Sequence, residues 1–196
     1  MPIYMVTSIA YPCQGIFRTD IFRRIGGYDM EINHMNADRL LWFYLSYESD
    51  YAYLREKLSY VRISEETETF LGRQNFQHPV LCHLTLKEMV RFGKKYDLRE
   101  VYHREEEAKY RLAMDFLNHS AMLIVHNLEQ TRRYLEYAVF VSPDIEKEVR
   151  FIRLKSMVNG AEPLDEQYIG KLTKSAYQKA RNYEPPKNYC RIDEGC

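Results

Sequence analysis

The chain has 196 residues, with 28 acidic and 28 basic side chains, so its formal net charge is zero. Apolar residues make up 45% and charged residues 29%, a balance that builds a core and keeps a surface wet. Zero net charge, with no basic stripe interleaved with aromatics, disfavours a nucleic-acid binder, a class that Arg23, Arg24, Arg132 and Arg133 gathered on one face would revive, and no apolar run approaches the ~20 residues of a membrane span. The first twelve residues lack the basic start and long apolar core of a signal peptide. These features predict a cytoplasmic chain, either free or peripheral to the membrane. The four cysteines, Cys13, Cys82, Cys190 and Cys196, form no C-x-x-C and no zinc-finger spacing with histidine. Free thiols are expected, with a Cys190–Cys196 bridge only in an oxidising compartment. The 17 tyrosines suit either a wet-edged core or a sugar-handling surface.

In chain order, Ile3 to Ala10 is β-branched and apolar and reads as a strand ended by Tyr11-Pro12. Gln14 to Arg18 reads as a second short strand. Thr19 is a candidate cap for a short helix with Asp20 in its first turn, and Ile21, Phe22 and Ile25 share one face. Gly26-Gly27 stops that helix, because one glycine can take the left-handed cap conformation. Asn36 and Asp38 open a second helix through Tyr47, with Leu41, Trp42, Tyr44 and Leu45 turned inward. Tyr51 to Ile63 reads as two extended runs, and a helical turn is expected near Phe70-Leu71. His78-Pro79 reads as a boundary. Beyond it nearly everything reads as helix. Thr85 and Glu88 form a candidate capping box for a helix over Leu84 to Tyr96. Arg104 to Leu128 has the clearest periodicity, with Tyr110, Ala113, Leu117, Ala121, Ile124 and Leu128 on one stripe. Leu135 to Val141 continues it after a kink. Ser142-Pro143-Asp144 starts a helix that runs to Val158 and stops at Asn159-Gly160. Pro163-Leu164-Asp165 begins a final helix to about Asn182.

The ordered segments Phe17-Arg18, Ile25-Gly26-Gly27-Tyr28-Asp29, Asp38-Arg39-Leu40-Leu41-Trp42 and Tyr53 to Arg62 resemble the acceptor-side half of family 2 glycosyltransferases. The resemblance runs from about Tyr11 to Arg62. It implies an α+β fold that is mostly helical: short strands and helices of a partial GT-A-like half over residues 1–77, a helical bundle over 78–184, and a mobile tail over 185–196. It also implies inverting transfer of a hexose from a nucleotide sugar to a glycan or lipid-linked acceptor, in polysaccharide biosynthesis. Asp38 would be the general base that takes the proton of the attacking hydroxyl. The other reading of Asp38 is an acid placed for the helix dipole alone. Gln14, Gly15 and Trp42 would bind acceptor, against readings of Gly15 as a glycine beside a bend and Trp42 as core. Arg62 would meet a diphosphate, or else lie in solvent.

The sequence departs from the family pattern in three places. Ala37 stands where the family usually has Glu, Ser64 stands where a metal-binding His is common, and no D-x-D is present. The resemblance thus implies a divalent metal, Mn or Mg, for a complete enzyme but no metal ligand from this chain. It implies nucleotide sugar and glycan as partners, with a missing half, a partner chain or a homodimer covering the exposed strand edges. The rival expectation is a non-catalytic helical interaction module carrying a relic of the glycosyltransferase segment.

Overall fold

A computed structural model of the chain describes residues 3–6, 15–29, 36–52 and 68–178. Among these residues the protein is helical and contains no strand. The expected mostly helical class therefore holds; the strands expected at Ile3–Val6 and at residues 15–18 are not formed, and the extended runs expected from Tyr53 to Ile63 lie outside the described residues. Ile3 to Val6, expected to be extended, forms a short helix α1 (Ile3–Val6) whose Tyr4 and Met5 are buried. Residues 15–18 form no regular element and pair with no neighbouring strand among the described residues. β-branching alone does not make a strand, because a strand needs a partner edge, and here the buried neighbours are helices.

Helix α2 (Thr19–Arg24) leads through the glycine turn towards α3 (Ala37–Glu48). Leu40, Leu41, Trp42, Phe43 and Leu45 of α3 are all buried, whereas Tyr44, expected to face inward, is only half-buried, so α3 buries more than the one face that the spacing predicts. Helix α4 (Glu68–Gln74) covers the turn expected near Phe70-Leu71. A left-handed Phe76, at φ 67°, then separates it from α5 (Gln77–Lys95).

The expected boundary at His78-Pro79 and the expected cap at Thr85 are both corrected by α5. Pro79 lies in its first turn, where a missing N–H removes no helical bond. The side chain of Asn75 accepts the Gln77 N–H at 3.1 Å and marks the true start. Thr85 is fully buried mid-helix, and its hydroxyl donates to the Leu81 carbonyl one turn back at 2.9 Å.

Helix α6 (Arg99–Tyr102) is a single turn after α5. The predicted long helix is two helices, α7 (Glu105–Leu123) and α8 (Leu128–Val141). The break is made by Asn127, whose side chain accepts the Gln130 N–H at 2.9 Å as an N-cap. The two pack side by side as a hairpin, with the fully buried Ala113 and Ala121 of α7 and Ala138 of α8 allowing close approach. Pro143 starts a 3-10 turn (Pro143–Lys147) that precedes α9 (Val149–Val158). Gly160, at φ 73°, ends α9 at the predicted place, and α10 (Glu166–Gln178) packs back on α7. No helix among the described residues is long and apolar enough to cross a membrane.

The contact between α5 and α6 is close because Gly93 has no side chain. A Cβ there would lie 2.7 Å from Cγ1 and 3.0 Å from Cβ of Val101, a β-branched residue that cannot swing aside. Gly93→Ala should lower the unfolding free energy by about 1–3 kcal/mol in a urea titration. An unchanged midpoint would mean that α6 can lift off α5 without penalty.

Candidate functional site

The glycine turn forms one wall of an open cleft of about 630 Å³, lined by Ile25 to Asp29 and by the facing sides of α3 and α5. Both turn glycines take conformations that side chains resist, Gly26 at φ 87° and Gly27 at φ 76°. The expected Thr19 cap is absent. Arg18 holds the N-cap position of α2, and its guanidinium bonds both carboxylate oxygens of Asp20, at 3.0 and 2.8 Å.

An aromatic chain ties the turn to the core. Trp42 meets Phe17 edge-on at 5.8 Å, Phe17 stacks on Phe22 at 5.0 Å, and Phe22 meets Tyr28 edge-on at 5.7 Å. Tyr28, at the cleft rim, is thus positioned from the buried Trp42 through three ring contacts.

The floor of the cleft is aromatic. Phe92 of α5 is surrounded by Tyr44 at 5.0 Å, Tyr47 at 5.2 Å and Tyr96 at 4.5 Å between ring centroids. Tyr47 is 40% exposed and Tyr96 42%, so their rings are open to a ligand. The polar groups are fixed. Glu88 accepts both Nε and Nη2 of Arg91 at 2.6 Å and the Tyr44 hydroxyl at 3.1 Å. Burial, with Glu88 alongside, raises the Tyr44 phenol well above its ordinary pKa and keeps it a donor. Arg24 pairs with Glu48 at 3.3 Å across the other side. Flat aromatic faces beside directional polar groups suit a ligand that is apolar on its faces and hydroxylated at its edges.

The residues singled out in the sequence are distributed differently. Gly15 and Trp42 come together, because a Cβ on Gly15 would overlap the indole. Trp42 is only 3% exposed, so the indole belongs to the core, and its Nε1–H has no hydrogen-bond partner among the described residues. The glycine is therefore explained by close packing against Trp42. Gln14 and Arg62 lie outside the described residues.

Asp38 lies in the first turn of α3, away from the residues that line the cleft. Its Oδ1 accepts the Arg39 N–H at 2.8 Å. Burial raises its pKa, opposed by that N–H and by the charge of Arg39. The neighbouring Arg39 reaches back to α1, donating from Nε to the Tyr4 carbonyl and from Nη2 to the Met5 carbonyl, each at 2.7 Å.

A second polar cluster is internal and was not singled out in the sequence. His78 and Cys82 stand one turn apart on α5, with Sγ 3.6 Å from His78 Nε2. The Asn36 amide donates to the same sulfur at 3.0 Å. The His119 ring of α7 meets the His78 ring edge-on at 5.3 Å and the Tyr134 ring at 5.9 Å. The i, i+4 spacing of His78 and Cys82 was the available signal. Starting the helix after Pro79 hid it. Burial raises the Cys82 thiol pKa, so it is an inert thiol. Burial lowers His78 to about 4, helped by the charges of Arg73 and Arg39, and burial also holds His119 well below its ordinary value. Among the described residues no three His, Cys, Asp or Glu side chains are arranged to hold a metal.

Comparisons with protein-family models, with curated proteins and with solved structures returned no match.

The two histidines set a pH dependence. Each is neutral in the fold and ordinary when unfolded, so the unfolded chain binds more protons below about pH 6.5. Their contribution is fully present above that pH and is lost as pH falls towards 4, on the order of 3 kcal/mol from His78 alone. Denaturant titrations across this window should show stability falling with acid, and a His78→Gln, His119→Gln double variant should flatten the profile. A double variant with the same slope would assign the acid sensitivity to carboxylates instead.

Proposed function

We propose that this chain carries the acceptor-side segment of a family 2-type glycosyltransferase and that the cleft beside the glycine turn takes a neutral carbohydrate. One observation carries the reading. Ile25 to Asp29, one of the ordered segments that carry the resemblance to those enzymes, lines a cleft whose open tyrosine rings and polar groups suit a sugar. Sugar rings present C–H faces to aromatic side chains and hydroxyls to groups such as Glu88 and Arg91. The reaction is inverting transfer of a hexose from a nucleotide sugar to a glycan or lipid-linked acceptor. Asp38 is the base, and its raised pKa suits proton acceptance. Asp38 precedes Tyr44 and Glu48 on the same helix by about 9–15 Å of helical rise. The acceptor is therefore longer than one sugar, held in the cleft at one end and presented to Asp38 at the other. The donor nucleotide and a divalent metal are bound by a D-x-D-bearing part that this sequence does not contain.

A second reading, a non-catalytic helical module with a relic of this segment, is favoured by a different observation. The Asp38 carboxylate bonds the first turn of its own helix, as an acid placed for the dipole does.

Calorimetric titration with neutral oligosaccharides separates the two. Binding should weaken about tenfold or more in Tyr47→Ala and Tyr96→Ala, as for loss of a stacking face, and stay unchanged in Asp38→Asn. Transfer, assayed with nucleotide sugar, manganese and any complementing half, should be lost in Asp38→Asn with no loss of stability. Absence of oligosaccharide binding, together with no manganese-dependent binding of UDP or GDP, would leave the helical-module reading standing alone.

A further inference from the structure

The chain contains one Asn-Gly pair, Asn159-Gly160, and it stands at the end of α9. Asn159 is the C-cap residue of that helix, and both residues are exposed. Gly160 takes the left-handed conformation at φ 73°, and a Cβ placed on it would meet nothing within 4 Å. Nothing therefore stands over the peptide bond between them on the side where a residue other than glycine would carry its side chain.

The backbone nitrogen of Gly160 is held by the helix end. Its N–H donates to the Met157 carbonyl at 3.1 Å, and the Ala161 N–H donates to the Ser156 carbonyl at 3.0 Å. Together these bonds make a Schellman end, which needs the positive φ of Gly160. The connection that follows is pinned at its far end. Arg153 of α9 donates to the Asp165 carboxylate at 3.1 Å, and its guanidinium lies 3.9 Å from the centroid of the Tyr168 ring. Asp165 in turn accepts the Tyr168 N–H at 2.9 Å at the start of α10. Asn159 thus opens a short connection with both ends fixed to α9.

We propose that Asn159-Gly160 is a site of spontaneous covalent modification, in which the Asn159 amide becomes a carboxylate, and that the Schellman bonds of α9 set its rate. When the helix end frays, the Gly160 N–H leaves the Met157 carbonyl and gives its proton to hydroxide. The nitrogen attacks Cγ of Asn159, the bond from Cγ to the side-chain nitrogen breaks, and ammonia departs with a proton from water. The product is a five-membered cyclic imide. Water then adds to one of its two carbonyls. Opening at Cγ leaves aspartate, and opening at the backbone carbonyl leaves isoaspartate, in which the main chain runs through Cβ and Cγ. No electrons are transferred, and in sum one water is consumed and one ammonia released. Glycine at 160 favours the ring closure because it has no Cβ to hinder the approach. Either product puts a negative charge beside the last-turn carbonyls of α9, where the helix dipole disfavours it. Isoaspartate also lengthens the main chain by one methylene within a connection fixed at both ends, so the hold of Arg153 on the start of α10 should loosen. The site is independent of the carbohydrate cleft and of the reading built on it.

The test is to age the full chain in mildly alkaline buffer, folded and in urea, and to follow it by peptide mass mapping, with isoaspartate read by an isoaspartyl methyltransferase. In urea Asn159 should convert to a mixture of aspartate and isoaspartate. In the folded chain the same products should accumulate about tenfold more slowly or less, because the reactive form is the frayed helix end. Asn159→Gln should fold with unchanged stability and abolish the new acidic species, which assigns it to this residue. Hydrogen exchange should be faster in the first turn of α10 after ageing than before. No conversion of Asn159 in the folded chain, over a time in which the urea sample converts many times over, would overturn the proposal. Equal rates in the two samples would overturn the control by the Schellman bonds, and an acidic species that persists in Asn159→Gln would place the chemistry elsewhere. Unchanged exchange in α10 after conversion would overturn the loosening of its start.

Discussion

The last-turn carbonyls of three helices are satisfied by side chains from elsewhere in the chain. A helix as short as α1 or α4 cannot hold itself together in water, because its nucleation is unfavourable and its end carbonyls have no internal partners. Arg39 of α3 serves the carbonyls of Tyr4 and Met5 on α1. Tyr134 and Gln130 of α8 serve the carbonyls of Arg73 and Gln74 on α4, at 3.0 and 2.8 Å. Arg132 of α8 serves Val158 at the end of α9, at 3.1 Å. These reaches tie α1 to α3, and α4 and α9 to α8 of the α7–α8 hairpin.

Those reaches bring polar groups into the interior, and the interior then dictates their ionisation. His78, His119 and Cys82 lie among helices that exclude water, so each takes its neutral form. Two guanidiniums remain charged beside them, because arginine does not give up its proton. In the aromatic cleft, Arg24–Glu48 and Arg91–Glu88 pair at 3.3 and 2.6 Å with both arginines exposed to solvent.

The cleft and Asp38 are joined by α3, with the cleft residues on its later turns and the acid in its first. Trp42 lies between them and faces inward. Its ring packs on Gly15 and Phe17, and through Phe22 it sets the position of Tyr28. Its part in the site is to hold the glycine turn against α3. Both the cleft wall and the helix that carries Asp38 therefore rest on one buried indole.

The features legible in the sequence are those set by near neighbours along the chain. Helix periodicity in α7, the stop at Gly26-Gly27 and the stop at Asn159-Gly160 all depend on spacing and on glycine conformations within a few residues. Features set by distant partners were not legible. Ile3 to Val6 has strand-like composition, but it lies where Arg39 can take its helical carbonyls, so it is a helix. Pro79 suggests a boundary, but packing of the first turn of α5 and the Asn75 cap carry the helix past it. The facing of His78 with His119, the aromatic floor around Phe92, and the burial of Trp42 against Gly15 each join residues from separate helices. Local sequence determined the apolar stripe of α7 and the glycine stops of α2 and α9. Only tertiary packing decided which side chains lost water and which kept it, because desolvation depends on what lies opposite in space rather than next in the chain.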